Sequence, residues 1–346
     1  MSHFEPKPIA EQVIIITGAS SGIGRKAAQM LAEGGASLVL AARNETALRE
    51  AEKEVVERGG RALVVVTDVS DRAQVQALAD RAVQHFGRID TWINNAAVSM
   101  YAYLRSQPIE DIEQLISTNL LGTIHGCQVA VPYLKNGGTI INIGSILSER
   151  AIPLQGIYCA TKHAVKGFTE GLRMELDHEQ IPINITLVKP AVIDTPFYTQ
   201  AKSLLGVRPR AVPPIYDVSV PASAIVSACA TYHREIYAGD AAAVLGALQR
   251  LSPSLVDTVM KHSGSYFGFF EGQTTDEPDD GRSNLYRPEP GTGSTTGNNA
   301  PRSGSVAMPS LYTALVELDP AIKRGLAFVA AGAVIAFLAN PTADPA

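Results

Sequence analysis

The sequence predicts a doubly wound α/β fold, in which helices cover both faces of a parallel sheet. From Val13 to about Tyr237, short runs rich in β-branched residues alternate with longer segments whose charges fall on one side. The short runs are almost continuously apolar, which is typical of strands buried on both faces. A glycine-rich turn directly after the first run is the third observation, because such sheets often bind phosphate groups at that place.

The alternation predicts about seven strands with helices between them. The predicted strands are Val13–Thr17, Ser37–Ala42, Ala62–Thr67, Thr91–Asn94, Thr139–Ile143, Ile183–Val188 and a shorter Glu235–Ala238. The predicted helices are Gly22–Gly34, Glu45–Arg58, Arg72–Phe86, Thr118–Leu134 and Gly156–Glu179. Together they predict a Rossmann-like sheet.

Composition divides the rest of the chain. A polar N-terminal extension, 1–12, precedes the main domain, 13–240. Within that domain, residues 191–220 are irregular and rich in proline, and they follow a strand end at the carboxyl edge of the sheet, so we expect a substrate lid. Helical spacing predicts a helical extension, 241–280. Residues 281–305 are rich in Gly, Ser, Thr, Asn and Pro and predict a disordered linker before an apolar C-terminal tail, 306–346.

Part of the tail raises the question of a membrane. Residues 325–339 carry no charge, and as a helix they would span about 22 Å, against roughly 30 Å for the hydrocarbon core of a bilayer. The basic pair Lys323 and Arg324 precedes them, as on the cytoplasmic side of a membrane helix. Attachment to a membrane and docking on the main domain or on a second copy of the chain both stay open.

Charge and cysteine content exclude several classes of protein. There are 29 basic and 34 acidic residues without a basic cluster, so we expect no nucleic-acid partner. The three cysteines are odd in number and widely spaced, which favours reduced thiols over disulfides or a zinc site. The seven histidines have no metal-binding spacing, so we expect no metal. The N-terminus lacks the apolar stretch of a secretory signal, and we expect a cytoplasmic protein.

The turn after the first predicted strand has the composition of a dinucleotide-binding turn. Its residues run from Thr17 through Gly18, Ala19, Ser20, Ser21, Gly22 and Ile23 to Gly24. The glycines permit a tight turn and a close approach of the backbone, and the N–H groups at the start of the following helix face a pyrophosphate. A plain strand-to-helix turn is the alternative, which the strand before and the helix after make less favourable.

The end of the second predicted strand indicates which dinucleotide binds. An acidic residue about twenty positions beyond the glycines would hydrogen-bond the ribose 2′-hydroxyl of NAD. The sequence has Ala41, Ala42 and Arg43 there instead. A guanidinium can pair with the 2′-phosphate of NADP(H) through two parallel hydrogen bonds, so NADP(H) is the expected cofactor. Alternatively, Arg43 simply begins the next helix on the surface.

A tyrosine and a lysine one helical turn apart form a candidate reaction centre. Tyr158 and Lys162 lie on one face of the helix after the fifth predicted strand. A nearby ammonium favours the phenolate and lowers the pKa of a tyrosine towards neutral pH, so the pair can transfer a proton. Such a pair alone is common by chance. Its position after the fifth strand makes it informative.

These motifs, in this order, resemble those of the classical short-chain dehydrogenase/reductase family. The resemblance runs from about Val13 to Tyr237 and implies an oxidoreductase with Tyr158 as general acid/base and Lys162 as its partner. It implies that Ser145, thirteen positions before Tyr158, binds the substrate oxygen together with Tyr158. Ser148 is the competing serine. Asn119 resembles the asparagine that bends its helix and holds a water linked to the lysine.

The resemblance also implies further cofactor contacts. Asp68 and Val69 follow the third strand, where the family contacts adenine, although Asp68 could instead cap the next helix. Asn95 belongs to a motif that backs the cofactor, and Ala97 replaces its usual glycine. Pro190, Ile193 and Thr195 match the segment that contacts the nicotinamide amide, in which Ala191 again replaces a glycine.

The expected function is hydride transfer between NADP(H) and a small carbonyl or alcohol substrate. Among the loop aromatics, Tyr101, Tyr103, Phe197 and Tyr198 are candidates for an apolar pocket, whereas Trp92, inside a predicted strand, is expected in the core. We also expect a homo-oligomer. The alternative is a non-catalytic NADP(H)-binding sensor or scaffold, since a fold does not imply activity.

Overall fold

A computed structural model of the chain describes residues 4–263, 271–291, 293–299 and 309–317. The strands are β1 (Val13–Thr17), β2 (Ser37–Ala42), β3 (Arg61–Val66), β4 (Thr91–Asn94), β5 (Met100–Tyr101), β6 (Gly138–Ile143), β7 (Ile183–Pro190), β8 (Val192–Ile193), β9 (Lys202–Ser203), β10 (Val207–Pro209), β11 (Ile215–Tyr216), β12 (Glu235–Ala238) and β13 (Thr274–Pro278). Seven of them form one parallel sheet in the order β12-β7-β6-β4-β1-β2-β3. The predicted doubly wound, Rossmann-like sheet is confirmed.

Helices cover this sheet. They are α1 (Gly22–Glu33), α2 (Glu45–Glu57), α3 (Arg72–Phe86), α4 (Ile109–Ile116), α5 (Gly122–Leu134), α6 (Gly156–His178), α7 (Ser219–Ala230), α8 (Asp240–Leu251), α9 (Pro253–Ser263) and α10 (Leu311–Glu317). Two of these helices begin at a polar N-cap residue whose side chain accepts hydrogen bonds from free backbone amides of the first turn. The Asn44 side chain accepts from the Ala47 amide, and the Asp71 side chain accepts from the amides of Ala73 and Gln74.

Two apolar clusters form the core on the two sides of the sheet. Every residue of β1 and of β7 is buried, as the continuous apolar runs predict. One cluster joins these strands to α1 and α7, and the other contains the fully buried Trp92 with residues of α3 and α5. The sheet therefore offers its carboxyl edge, rather than a face, for binding.

The helix predicted over Thr118–Leu134 begins earlier and is not continuous. α4 starts directly after Pro108, and a π-helical segment, Ser117–Leu121, joins it to α5. The wider turn of a π-helix shifts the helical register, which the apolar spacing of the sequence does not reveal.

Beyond β7, short strands replace the regular alternation. Each short strand of residues 191–220 pairs with another short strand. β8 pairs with β11 inside this region, whereas β9 pairs with β5 and β10 pairs with β13, which both lie outside it. The region 241–280, predicted to be helical, contains α8 and α9 but also β13, which runs antiparallel along β10. Thus part of the region predicted to be a helical extension is instead a strand that pairs with a strand of the predicted lid.

The composition of 281–305 predicts a linker without contacts, but the described residues 281–291 and 293–299 pack on the main domain. We call residues 284–291 and 293–299 the strap. The apolar segment 325–339 lies outside the described residues, as do residues 1–3 of the extension. Among the helices that the structure describes, none has the length and apolar character required to cross a membrane.

Candidate active site

A cavity of about 380 Å³ lies at the carboxyl edge of the sheet, where predicted cofactor and reaction residues meet. Its wall includes Gly18, Ser20, Ser21, Gly22, Ile23, Arg43, Asp68, Val69, Asn95, Ser145, Tyr158, Lys162, Pro190, Ile193 and Thr195. Gly24 and Asn119 lie behind this wall. Residues far apart in the sequence thus line one continuous space.

The glycine turn is held in shape by backbone conformation and by Asn95. Gly18 has a φ of 67°, and a Cβ there would lie 2.8 Å from the Ala96 Cα, so only glycine fits. A Cβ on Gly24 would collide with the Gly18 carbonyl. The Asn95 Nδ2 donates to the carbonyls of Thr17 and Gly18 at 3.0 and 3.2 Å. Asn95 therefore orients the turn from behind.

The first amides of α1 provide hydrogen-bond donors at this turn. The Gly22 amide donates to the Ser294 carbonyl of the strap at 3.0 Å. Among the described residues, the amides of Ile23 and Gly24 have no acceptor. Two N–H groups at a helix N-terminus suit an anionic oxygen, so the turn fits a pyrophosphate.

Arg43 lines the same end of the cavity as the glycine turn, on the opposite side, and it contacts the strap. Its guanidinium Nη1 donates to the carbonyls of Leu285 and Tyr286 at 3.3 and 3.2 Å, and its Nη2 donates to the Asn284 carbonyl. Burial lowers the pKa of Arg43, and the Asp68 carboxylate, 4.0 Å from Nη1, opposes that shift. Arg43 is therefore a structured part of the site rather than a free surface side chain.

Asp68 lines the cavity, where its contact with adenine stays a prediction, and it does not cap the next helix. Its Oδ1 accepts from the amide and hydroxyl of Ser70 at 3.0 and 2.7 Å, while the residue lines the cavity near Arg43. The N-cap of the following helix is Asp71, not Asp68.

Tyr158, Ser145 and Lys162 meet at the opposite end of the cavity. Ser145 follows β6, and its hydroxyl contacts Tyr158 and accepts from the Leu147 amide at 3.1 Å. The Lys162 Nζ donates to the Ile143 carbonyl at 2.8 Å and lies 5.7 Å from the centre of the Tyr158 ring. Ser148, the competing serine, instead accepts from the Ser145 amide at 3.1 Å. Ser148 thus supports the loop that presents Ser145.

Burial dominates the protonation of this cluster. Burial raises the pKa of Tyr158 well above its ordinary value, and the hydrogen bond with Ser145 opposes this rise. Burial also lowers the pKa of Lys162 to about 8. At neutral pH a neutral phenol beside a lysine that still carries its proton is therefore the resting arrangement, in contrast to the phenolate that the sequence pair alone suggests.

Asn119 lies in the π-helical segment and is completely buried. Its Oδ1 accepts from the Val98 amide at 2.8 Å, and its Nδ2 donates to the Val98 carbonyl at 2.9 Å and to the Thr161 hydroxyl at 3.3 Å. Asn119 therefore ties the strand-end loop after β4 to the helix that carries Tyr158 and Lys162.

The model of the short chain dehydrogenase family matches residues 12–204, more than half of the chain. The chain belongs to this family. Uncharacterized oxidoreductase YxnA of Bacillus subtilis (strain 168) is 42% identical to this short-chain dehydrogenase over 267 residues, or 74% of each chain. Putative oxidoreductase SadH of Mycobacterium tuberculosis (strain CDC 1551 / Oshkosh) is 31% identical over 269 residues, covering 77% of this chain and 94% of SadH. The short-chain dehydrogenase is thus an oxidoreductase.

Solved structures agree with the fold. A short-chain dehydrogenase/reductase from Burkholderia phymatum in complex with NAD superposes with a TM-score of 0.65 at 29% identity, covering 74% of this dehydrogenase and 97% of that chain. An alcohol dehydrogenase from Thermococcus sibiricus, complexed with 5-hydroxy-NADP, has a TM-score of 0.59 at 24% identity and covers 65% of this chain and 95% of its own.

Aromatic side chains of the dehydrogenase surround the space in front of Tyr158. The Phe197 ring lies 5.4 Å from the Tyr158 ring, and Tyr198 packs against Phe197 at 5.6 Å. Tyr101 is fully buried in the cavity wall, whereas Tyr103 is half exposed and lies outside it. Of the four candidate loop aromatics, three therefore line the cavity.

One part of the site and one buried ion-pair cluster near it were not predicted from the sequence. The strap residues Asn284, Pro288 and Glu289 line the cavity, and their composition gave no such signal. Lys189, directly before Pro190, is fully buried and bridges Glu149 at 2.8 Å and Glu235 at 2.7 Å. A charged residue at the end of a strand predicted to be buried was the signal that could have revealed this bridge.

Proposed function

We propose that this protein is an NADP(H)-dependent oxidoreductase that interconverts a carbonyl and an alcohol, with Tyr158 as general acid/base. The observation that carries the proposal is one cavity with an anion-binding glycine turn and Arg43 at one end, and with Ser145, Tyr158 and Lys162 at the other. NADP(H) carries phosphates, the pyrophosphate in its middle and the 2′-phosphate at its adenosine end, and a reactive nicotinamide ring at its other end. The cavity supplies complementary groups for both.

The reaction centre can hold a substrate oxygen and move a proton to it. The Ser145 hydroxyl and the Tyr158 phenol lie together, so both can hydrogen-bond the same oxygen. NADP(H), when bound, supplies or accepts the hydride. During reduction the raised pKa of Tyr158 keeps its proton in place until negative charge develops on the substrate oxygen. The ammonium of Lys162 then stabilises the phenolate that forms.

NADP(H) rather than NAD(H) is supported by the residues after β2. Arg43 stands where an acidic residue would bind the ribose hydroxyls of NAD, and no carboxylate from that strand end opposes a 2′-phosphate. The strap carbonyls that accept from Arg43 are neutral and the Asp68 carboxylate is 4.0 Å away, so the positive charge of Arg43 can attract a 2′-phosphate while the strap stays in place.

Apolar side chains indicate the substrate class. Besides Phe197 and Tyr198, the substrate end of the cavity is lined by Ile152, Val212 and Leu245. We therefore propose a ketone, aldehyde or alcohol with a bulky apolar group, because such a wall gains free energy by excluding water from that group.

Purified protein should be screened with apolar ketones, aldehydes and alcohols by following NADPH absorbance. The Tyr158→Phe variant should lose at least about 100-fold in turnover, the contribution of a general acid, yet bind NADPH with nearly unchanged affinity. Near-normal turnover by Tyr158→Phe would exclude Tyr158 as the acid. Binding of NADPH without turnover of any compound would favour the sensor or scaffold function instead.

A further inference from the structure

The strap crosses the cofactor end of the cavity and is anchored on both sides of it. At its start, the Asn284 amide donates to the Gln200 carbonyl at 2.9 Å, and Leu285 is fully buried against the cluster that contains Val98 and Leu115. These contacts fix the beginning of the strap to the lid side of the cavity.

The middle of the strap is fixed on the far side. Beyond the Arg43 contacts, the Asn44 Nδ2 donates to the Glu289 carbonyl at 3.0 Å. Gly293 then lies so close to Arg25 and Glu50 that a Cβ there would collide with the arginine side chain. The strap has therefore passed from the lid across the cavity to the N-terminal ends of α1 and α2.

The strap then returns to the lid side. After the hydrogen bond between Gly22 and Ser294, the Asn299 amide and Nδ2 donate to the Asp194 Oδ1 at 2.7 and 2.9 Å, and Nδ2 also donates to the Thr195 carbonyl at 2.7 Å. Asn299 is 4% exposed. The end of the strap is thus held by buried hydrogen bonds from Asn299 to the Asp194 carboxylate and to the Thr195 carbonyl, in the predicted nicotinamide segment.

The strap covers the cavity without filling it. Asn284, Pro288 and Glu289 form part of the wall around the 380 Å³ space, and the Ile23 and Gly24 amides keep no acceptor among the described residues. The strap accepts only from the Gly22 amide of this turn, whereas a segment that plugged the site would occupy the Ile23 and Gly24 donors as well. The geometry fits a wall that encloses a ligand.

We propose that the strap closes over the bound dinucleotide and slows its release, so that cofactor exchange requires the strap to detach. This proposal rests on the proposed function, because it assumes that the cavity binds NADP(H). Its direct consequence is kinetic: weakening the strap raises the dissociation rate of the cofactor.

Two variants of the full chain weaken the end of the strap where it contacts Asp194 and Thr195, and both leave the side chains of the glycine turn and of the reaction centre unchanged. Asn299→Ala removes both side-chain hydrogen bonds, and Gly297→Ala places a Cβ against the Thr195 carbonyl. Asn298→Gly is the matched control, since Asn298 is exposed and its φ of 53° suits glycine.

Stopped-flow displacement of NADPH by excess NADP⁺ measures release. We expect the dissociation rate to rise roughly tenfold or more in Asn299→Ala and Gly297→Ala, as the loss of a charge-assisted hydrogen bond implies, and to stay within about twofold in the control. Unchanged release in both variants would overturn the proposal. Tighter NADPH binding by both variants would also overturn it, because that is the behaviour of a plug.

Hydrogen exchange in the unaltered protein provides a second test that needs no variant. Amides of 284–291 and 293–299 should exchange more slowly when NADPH is bound, and faster exchange would contradict a closing strap. Failure of the proposed function gives a different result, since neither NADPH nor NADH would then bind the unaltered protein.

Discussion

The effect of burial on the Lys162 ammonium in the reaction centre can be measured from the pH dependence of protein stability, without an activity assay. This ammonium is buried at 3% exposure, it donates to the Ile143 carbonyl, and burial lowers its pKa from 10.5 to about 8. Between these two pH values the unfolded chain holds a proton on Lys162 that the folded protein has already released. The stability of the protein therefore rises with pH across this window.

The size of the effect follows from the width of the window. From pH 8 to 10.5, at 1.36 kcal/mol for each pH unit, Lys162 contributes about 3 kcal/mol of rising stability. Lys162→Met lacks this contribution at every pH. The free energy of unfolding of the unaltered protein, minus that of Lys162→Met, should accordingly increase by about 3 kcal/mol from pH 7.5 to 10.5.

Urea unfolding followed by circular dichroism at several pH values measures this difference. Subtracting the Lys162→Met profile cancels the other titrating groups that both proteins share. The exposed Lys135 supplies a control, since Lys135→Met should give a profile parallel to that of the unaltered protein. Parallel profiles for Lys162→Met as well would refute the assignment of a destabilised ammonium at the reaction centre.

Two further predictions concern Arg43 and Lys189. Arg43→Ser removes the 2′-phosphate contact as well as hydrogen bonds to the strap, so it should weaken NADPH binding roughly 10- to 100-fold and NADH binding by a smaller factor, measured by fluorescence titration; equal losses for both cofactors would contradict a 2′-phosphate contact. Lys189→Met leaves the carboxylates of Glu149 and Glu235 without their buried partner, so chemical denaturation should show a loss of about 3 kcal/mol. Lys166→Met is its control, because Lys166 also pairs with Glu149 but its side chain is 23% exposed, so it should cost less stability. A loss of unfolding free energy as large as that of Lys189→Met would contradict the greater importance of the buried pair.

The strands and the glycine turn could be predicted because their signals are local. Continuous apolar runs specify strands covered on both faces, and Thr17–Gly24 carries its own backbone requirements. All seven predicted strands lie in the main sheet, with ends that differ by at most two residues. The order of those strands along the chain also places Ser145 and Tyr158 at one edge.

The features that could not be predicted depend on contacts that leave no recognisable pattern of side chains in the sequence. Arg43 is bound by backbone carbonyls of the strap, which any residue supplies, so a segment rich in glycine and threonine looks like a linker. The protonation of Tyr158 is decided by burial, which depends on segments such as the one that contributes Phe197. The π-helical turn at Asn119 likewise changes register without changing composition.

The strap also affects when the site becomes complete during synthesis. The hydrogen bond between Arg43 and Leu285 joins residues 242 positions apart, so the strap leaves the ribosome after every strand of the main sheet. Domains generally begin to fold from the N-terminal side as the chain emerges. A nascent chain can therefore form the sheet, the glycine turn and the reaction centre while the cofactor end of the cavity is still uncovered. On the proposed function, the first dinucleotide can enter at that stage, before the strap is synthesised and encloses it.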